Sequence, residues 1–182
     1  MKFDRYVSRG LDFAVSLAST DLDAESNIGA VAVALLQDES HPGHRPPIEV
    51  RPEDVKRLRD IAALLRDVFE STSEDEAMAM LNRILGKCGA QPYATRHDDY
   101  GWHMHFAPDG CPASDLIGAT AAMSLSVLLC EYGLTRIGIC EAEGCYNAYA
   151  DRSRNNRKRY CSVQCTTRSS VAAHRRRAKQ SV

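Results

Sequence analysis

Apolar residues recur at three- and four-residue steps through most of the first 135 positions, the period of helices with one buried face. Leu11-Asp12-Phe13-Ala14-Val15-Ser16-Leu17-Ala18 reads as the start of a helix that Ser19-Thr20-Asp21 breaks. Glu25 to Leu36 is a second helix, with Ile28, Val31, Ala32 and Leu35 on one stripe. Residues 38–50 are rich in His, Pro and Gly and read as a loop; His41 and His44 lie there with no Cys or acidic partner to complete a ligand set. Pro52, followed by Glu53 and Asp54, opens a third helix, whose buried stripe is Val55, Leu58, Ala62, Leu65 and Phe69. Ser73-Glu74-Asp75-Glu76 has the form of a capping box, and the helix after it buries Met78, Leu81, Ile84 and Leu85 before Gly86 or Gly89 ends it.

The period then changes to two. Residues 93–106 read as a β-hairpin, with Trp102, Met104 and Phe106 on one face and His103 and His105 on the other, half-exposed face. Asp115 to Glu131 is a further helix ended by Tyr132-Gly133, and Arg136 to Ile139 is a short extended segment. The most apolar run, Gly118 to Cys130, is shorter than the roughly 20 residues of a membrane span and reads as a buried helix.

The chemistry is concentrated after residue 139. Four residues lie between Cys140 and Cys145, three between Cys161 and Cys165, and fifteen between the two pairs. Two close cysteine pairs flanking a loop form the ligand pattern of a structural zinc site. Glu141-Ala142-Glu143-Gly144 can fold the first pair into a knuckle, and Gly144 can take a positive φ there. The second pair, at i and i+4, places both sulfurs on one side of a helical turn. Four thiolates leave no coordination position for substrate, so such a site is structural. No apolar run lies between the pairs, so metal would supply the ordering energy.

Cys140, Cys145, Tyr149-x-Asp151-x-Ser153-Arg154, Arg159-Tyr160-Cys161-Ser162, Cys165-x-x-Arg168 and Ala172-Ala173-His174-Arg175-Arg176-Arg177 together resemble the CGNR-type zinc finger of bacterial regulators. In that family the finger follows an ABATE domain, and Leu11 to Ala18 resembles the opening of that domain. The resemblance implies a stress-induced transcription regulator. Where the family has Cys-Gly-Asn-Arg this chain has Cys165-Thr166-Thr167-Arg168, and Ser170 replaces the Lys two residues further on.

Charge changes sign at the same boundary. Residues 1–139 carry 13 Lys and Arg against 21 Asp and Glu, a balance of −8; residues 140–182 carry 10 against 3, a balance of +7. A basic end on an acidic body points to a polyanionic partner for that end. Of seven cysteines, Cys88, Cys111 and Cys130 remain outside the metal set. That odd remainder, and a Met1-Lys2-Phe3-Asp4-Arg5 start that opens no targeting segment, point to a reducing, cytoplasmic setting.

The expected fold is α+β and mostly α: an ABATE-like helical domain over residues 1–136 with the hairpin, and a treble-type zinc finger over 137–182 ending in a basic helix. The expected function is zinc-dependent, nucleoid-associated DNA binding in transcription regulation. Arg152, Arg154, Arg157, Lys158 and Arg159 in the loop would hold phosphates. On a helix from about Ser162, Arg175 and Lys179 each fall within about 20° of Arg168, and Arg176 lies about 80° round the helix from it. Cys161 and Cys165 lie near the same side, which turns part of that stripe to the knuckle. The body would then be a sensor or a homodimerisation domain, its effector unnamed by the sequence. The alternative is a zinc-held RNA-binding or protein-interaction module, for which only Tyr146, Tyr149 and Tyr160 offer stacking surfaces. No Gly-rich phosphate loop, nucleophile elbow or His-Glu metal helix occurs, so catalysis is not expected.

Overall fold

The computed structural model describes residues 5–21, 25–36, 49–96 and 101–180. In chain order these form helices α1 (Arg5–Ala18), α2 (Glu25–Leu36), α3 (Pro52–Glu70) and α4 (Glu74–Lys87), and strands β1 (Tyr93–Thr95) and β2 (His103–His105). Helix α5 (Ala113–Tyr132), strands β3 (Ile137–Ile139) and β4 (Ala148–Ala150), and helix α6 (Val163–Gln180) complete them. The fold is α+β and mostly helical, as the sequence periods require. Most of the loop read at 38–50, with His41 and His44, lies outside the described residues, as does His97.

Helix α5 is the centre of the body, packed by α1, α3 and α4. It is longer than the apolar run and apolar enough to cross a bilayer by length and composition, yet Ile117, Leu125 and Leu128 have no exposed surface and Ala119, Ala121 and Ala122 are equally enclosed. It is therefore the core helix. Small residues let neighbours approach closely. A Cβ on Gly10 of α1 would lie 2.0 Å from Ser124 Oγ and 2.5 Å from the Thr120 carbonyl, so only glycine fits that crossing. The expected stripe of α3 is buried at Leu58, Ala62, Leu65 and Phe69. Ser73 caps α4 by accepting from the Glu76 N–H at 3.3 Å, and Gly89, at φ +55°, follows its end.

One buried carboxylate joins two helix starts. Asp54 Oδ2 accepts from Arg51 N (3.1 Å), while Oδ1 accepts from Ser114 N (2.9 Å) and Ser114 Oγ (2.7 Å). Burial raises the Asp54 pKa, but the Ser114 and Arg51 hydrogen bonds outweigh it and hold the carboxyl below its ordinary value.

The hairpin is antiparallel, with Tyr93 opposite His105 and Thr95 opposite His103. Its faces are reversed from expectation. His103 and His105 are buried, whereas Trp102 is 71 % and Met104 40 % exposed. Alternation fixes which residues share a face but not which face turns inward. Here the imidazoles bond to each other, to Tyr93 and to the Gly101 carbonyl, which offsets their burial. Trp102 lies outside under the Arg96 guanidinium, 5.6 Å from the ring centre. Phe106, beyond the strand end, turns into the core.

Candidate metal centre

Strands β3 and β4 form a second antiparallel hairpin, pairing Ile137 with Ala150 and Ile139 with Ala148. Tyr149 lies across Gly138, where a Cβ would meet its hydroxyl at 3.0 Å. The connection is the knuckle: Cys140 N donates to the Asn147 carbonyl (2.8 Å), Cys145 N to the Ala142 carbonyl (2.9 Å), and Gly144 has φ +69° as the turn requires. Cys161 enters from the far side, its N–H donating to Cys140 Sγ at 3.3 Å. Ser162 then starts α6, its Oγ accepting from Cys165 N (3.2 Å) and its carbonyl from Thr166 N (3.1 Å).

The four sulfurs of Cys140, Cys145, Cys161 and Cys165 lie within 4.8 Å of one another, and all four are free thiols. Cys161 Sγ is 3.7 Å from Cys145 Sγ and 3.7 Å from Cys165 Sγ. A tetrahedral ion with Zn–S bonds of about 2.3 Å needs sulfurs about 3.8 Å apart, so the cluster has the right size. Disulfides, at about 2.05 Å, are excluded by the same distances. Burial and the neighbouring thiols push Cys161 up to about 12, while the Ser162 hydroxyl draws Cys165 down to about 7. Thiols this close resist losing several protons together, and a bound cation removes that resistance. Arg168 sets its Nη2 3.8 Å from Cys165 Sγ, so the arginine kept from the family signature faces the knuckle.

The basic residues read from the sequence are distributed unevenly. Arg152 reaches back to α1, its Nη2 bonding Asp12 Oδ1 (2.8 Å) and its Nη1 the Ser8 carbonyl (3.2 Å). Arg159 pairs with Glu141, its Nε donating at 2.7 Å. Lys158 Nζ donates to the Ala150 carbonyl (3.2 Å) and lies over Tyr149, 5.9 Å from the ring centre. Arg154, Arg157, Arg175 and Arg176 are exposed. Helix α6 keeps Arg168 at the knuckle but carries Arg175 and Arg176 away from it, and among the described residues it packs on no other element to the extent that β3 and β4 do; the Lys179 side chain lies outside the described residues. Of the three tyrosines, Tyr146 is 74 % exposed and Tyr149 is buried.

Sequence reasoning missed the residues that shape and seat this module. Asp151 is 1 % exposed and organises the loop: its Oδ1 accepts from Ser153 N (2.8 Å) and its Oδ2 from Lys158 N (2.9 Å). Burial opposes ionisation of Asp151, yet these bonds and Arg136 hold its pKa below the ordinary value. The local signal was Asp151-Arg152-Ser153, an Asx-turn sequence. Ser19, read only as a helix breaker, accepts from Ala148 N at 2.9 Å. Arg66 of α3 bonds the carbonyls of Ala18 (3.3 Å) and Tyr146. These contacts, and burial of Ile137, Ala148 and Ala150 in the common core, fasten the second hairpin to the body.

No curated protein matches the chain. The CGNR zinc finger family matches residues 136–178. The family described as "ABATE: Putative stress-induced transcription regulator" matches residues 10–132. The chain therefore belongs to the ABATE family and carries a CGNR zinc finger behind its ABATE domain.

Proposed function

We propose that this protein is a zinc-dependent, DNA-binding transcription regulator in which Cys140, Cys145, Cys161 and Cys165 hold one structural Zn2+. The carrying observation is the four-sulfur cluster at the root of α6, an exposed helix with Arg175 and Arg176 on its surface. The division proposed is a body over 1–136 and a finger over 137–182. The body, at −8, repels phosphate, while the finger, at +7, attracts it.

Within the finger the arginines take different parts. Arg154, Arg157, Arg175 and Arg176, with Lys179 on the same helix, supply the phosphate contacts. Lys158 and Arg159 are anchored within the finger and add charge near the surface rather than a reaching side chain. Arg152 supports the seating on α1 through Asp12. Arg168, beside Cys165 Sγ, braces the metal site. The body is a sensor or dimerisation domain, and the protein works in the cytoplasm on the nucleoid. Burial of Tyr149 removes one of three stacking surfaces, which favours duplex DNA over single-stranded RNA.

The test is binding of the zinc-loaded full chain to duplex DNA across a salt series, with single-stranded RNA as competitor. Each phosphate neutralised contributes about 0.9 to the slope of log affinity against log salt. Arg175→Ala and Arg154→Ala each lower the slope by about 1 and weaken all sequences alike. Arg168→Ala lowers zinc affinity first. Salt-independent binding, or RNA displacing duplex DNA at equal concentration, contradicts the reading.

A further inference from the structure

Helix α6 has an uncharged strip on its outer side. Cys165, Ser169, Ala172 and Ala173 are half-buried and form the side turned to the rest of the protein. At about 100° per residue, the opposite side holds Val163, Thr167, Ser170, Val171, His174 and Ala178, all exposed, in a sector about 100° wide. That sector contains no Arg, Lys, Asp or Glu, and α6 has no acidic residue at any position. Arginines stand at its borders: Arg175 lies about 40° beyond Val171 on one side, and Arg177 about 20° beyond Ser170 on the other. A solvated helix ordinarily turns its charges outward. Here the charges flank the outermost strip, and the strip itself carries the exposed Val163 and Val171. Thr166 lies outside the strip and its hydroxyl donates to the Ser162 carbonyl at 3.0 Å, whereas Thr167 lies one turn from Val171 on the outer side.

A partner for this surface needs a neutral floor that accepts methyl groups and negative walls beside it. A second copy of α6 would set arginine borders against each other, and the helix has no Leu, Ile or Met for a helix–helix seam. Helices that lie on a bilayer bury Trp, Phe or Leu, and α6 has none of these. The major groove of duplex DNA has the required form. Phosphates line both walls, and the base edges on its floor include the thymine C5-methyl group, which accepts apolar contact. Thr167 and Val171 are about 6 Å apart along the helix axis, less than two base-pair steps of about 3.4 Å.

We propose that α6 lies in the major groove with its uncharged strip on the base edges, and that the methyl groups of Thr167 and Val171 select thymine at neighbouring positions. This placement rests on the DNA-binding reading above and adds to it the residues that read sequence. Arginines beside the strip hold phosphates and position the helix, and the side chains between them discriminate among bases.

The test selects sites for the zinc-loaded full chain from a pool of random-sequence duplexes. Each thymine of the selected site is then replaced by deoxyuridine, which removes only the methyl group. The expected result is a loss of about 4-fold in affinity at each of two neighbouring positions, the worth of one methyl-sized group. Val171→Ala abolishes the loss at one of these positions, and Thr167→Ser, which keeps the hydroxyl, abolishes it at the other. Neither variant changes the salt slope or the zinc content, because neither side chain touches a phosphate or the metal. Should a variant lose zinc, the wild-type deoxyuridine series decides: loss at two neighbouring thymines supports the strip, and no loss at any thymine overturns it. Salt-dependent binding without sequence preference, or a deoxyuridine loss that both variants retain, overturns this proposal and leaves the DNA-binding reading standing. Absence of salt-dependent duplex binding overturns both. A dimer of the chain that Val171→Asp dissolves assigns the strip to a second copy and overturns the proposal.

Discussion

The body and the finger are ordered by opposite means. In the body, Leu11, Leu17, Leu58, Leu65, Leu81, Ile117, Leu125 and Leu128 have no exposed surface, and burial of such side chains contributes about 1.5–3 kcal/mol each. Beyond β4, residues 152–159 are all exposed, and α6 exposes Val163 at 82 % and Val171 at 45 %. What gathers that segment is four sulfurs, the Asp151 carboxylate, a few backbone hydrogen bonds and the bonds of Arg152, Lys158 and Arg159 at its surface. A module built this way can put its charged side chains in solvent because it does not need them for a core. On the proposed reading its order depends on the metal, whereas the body's does not.

The comparison is broken most severely at the metal. Cys145→Ser removes one ligand from a site whose counterparts in small zinc modules contribute about 10–16 kcal/mol. The expected outcome is loss of the bound ion by elemental analysis and loss of α6 helicity, with the thermal transition of the body retained. Next is the body's own close contact. Gly10→Ala places a methyl 2.0 Å from Ser124 Oγ and 2.5 Å from a backbone carbonyl, forcing α1 from α5. A loss of about 1–3 kcal/mol in denaturant unfolding is expected, with zinc content unchanged.

Asp54 gives a pH signature specific to the body. Its folded-state pKa lies below the ordinary value of 3.8, so its contribution is complete above that value and fades as pH falls through the folded-state pKa. Asp54→Asn costs about 1–3 kcal/mol near neutral pH by weakening the bonds to Ser114 and Arg51. The difference from wild type shrinks below about pH 4, and parallel acid titrations of the two proteins measure it. The smallest effect is at the seam. Arg152→Ala removes a half-exposed pair with Asp12 and costs at most about 1 kcal/mol. Its mark is faster hydrogen exchange in β4 rather than a shift of the main transition.

Much of this was legible in the chain because local rules decided it. Helix α2 spans Glu25–Leu36 as its stripe indicated, Pro52 opens α3, Ser73 caps α4, and the cysteine spacing anticipated a cluster whose four sulfurs do converge. What was not legible depended on contacts distant in sequence. The inward turn of His103 and His105 depends on Tyr93, ten or more residues away, and on packing against α1. The pairing of Arg152 with Asp12 spans 140 residues, and nothing in a basic loop distinguishes an arginine seated on a helix from one facing solvent. Asp151 was visible as part of a motif, but its burial and its two backbone N–H partners emerge only once the loop closes.

On the proposed reading metal orders the finger, whereas the body is ordered without it. Hydrogen–deuterium exchange of the full chain, with zinc bound and after chelation, tests it most directly. Chelation is expected to remove protection from residue 152 to the end of α6 and to leave α1, α3 and α5 protected as before. Protection of α6 that survives complete zinc removal, or collapse of α5 together with it, would contradict the account.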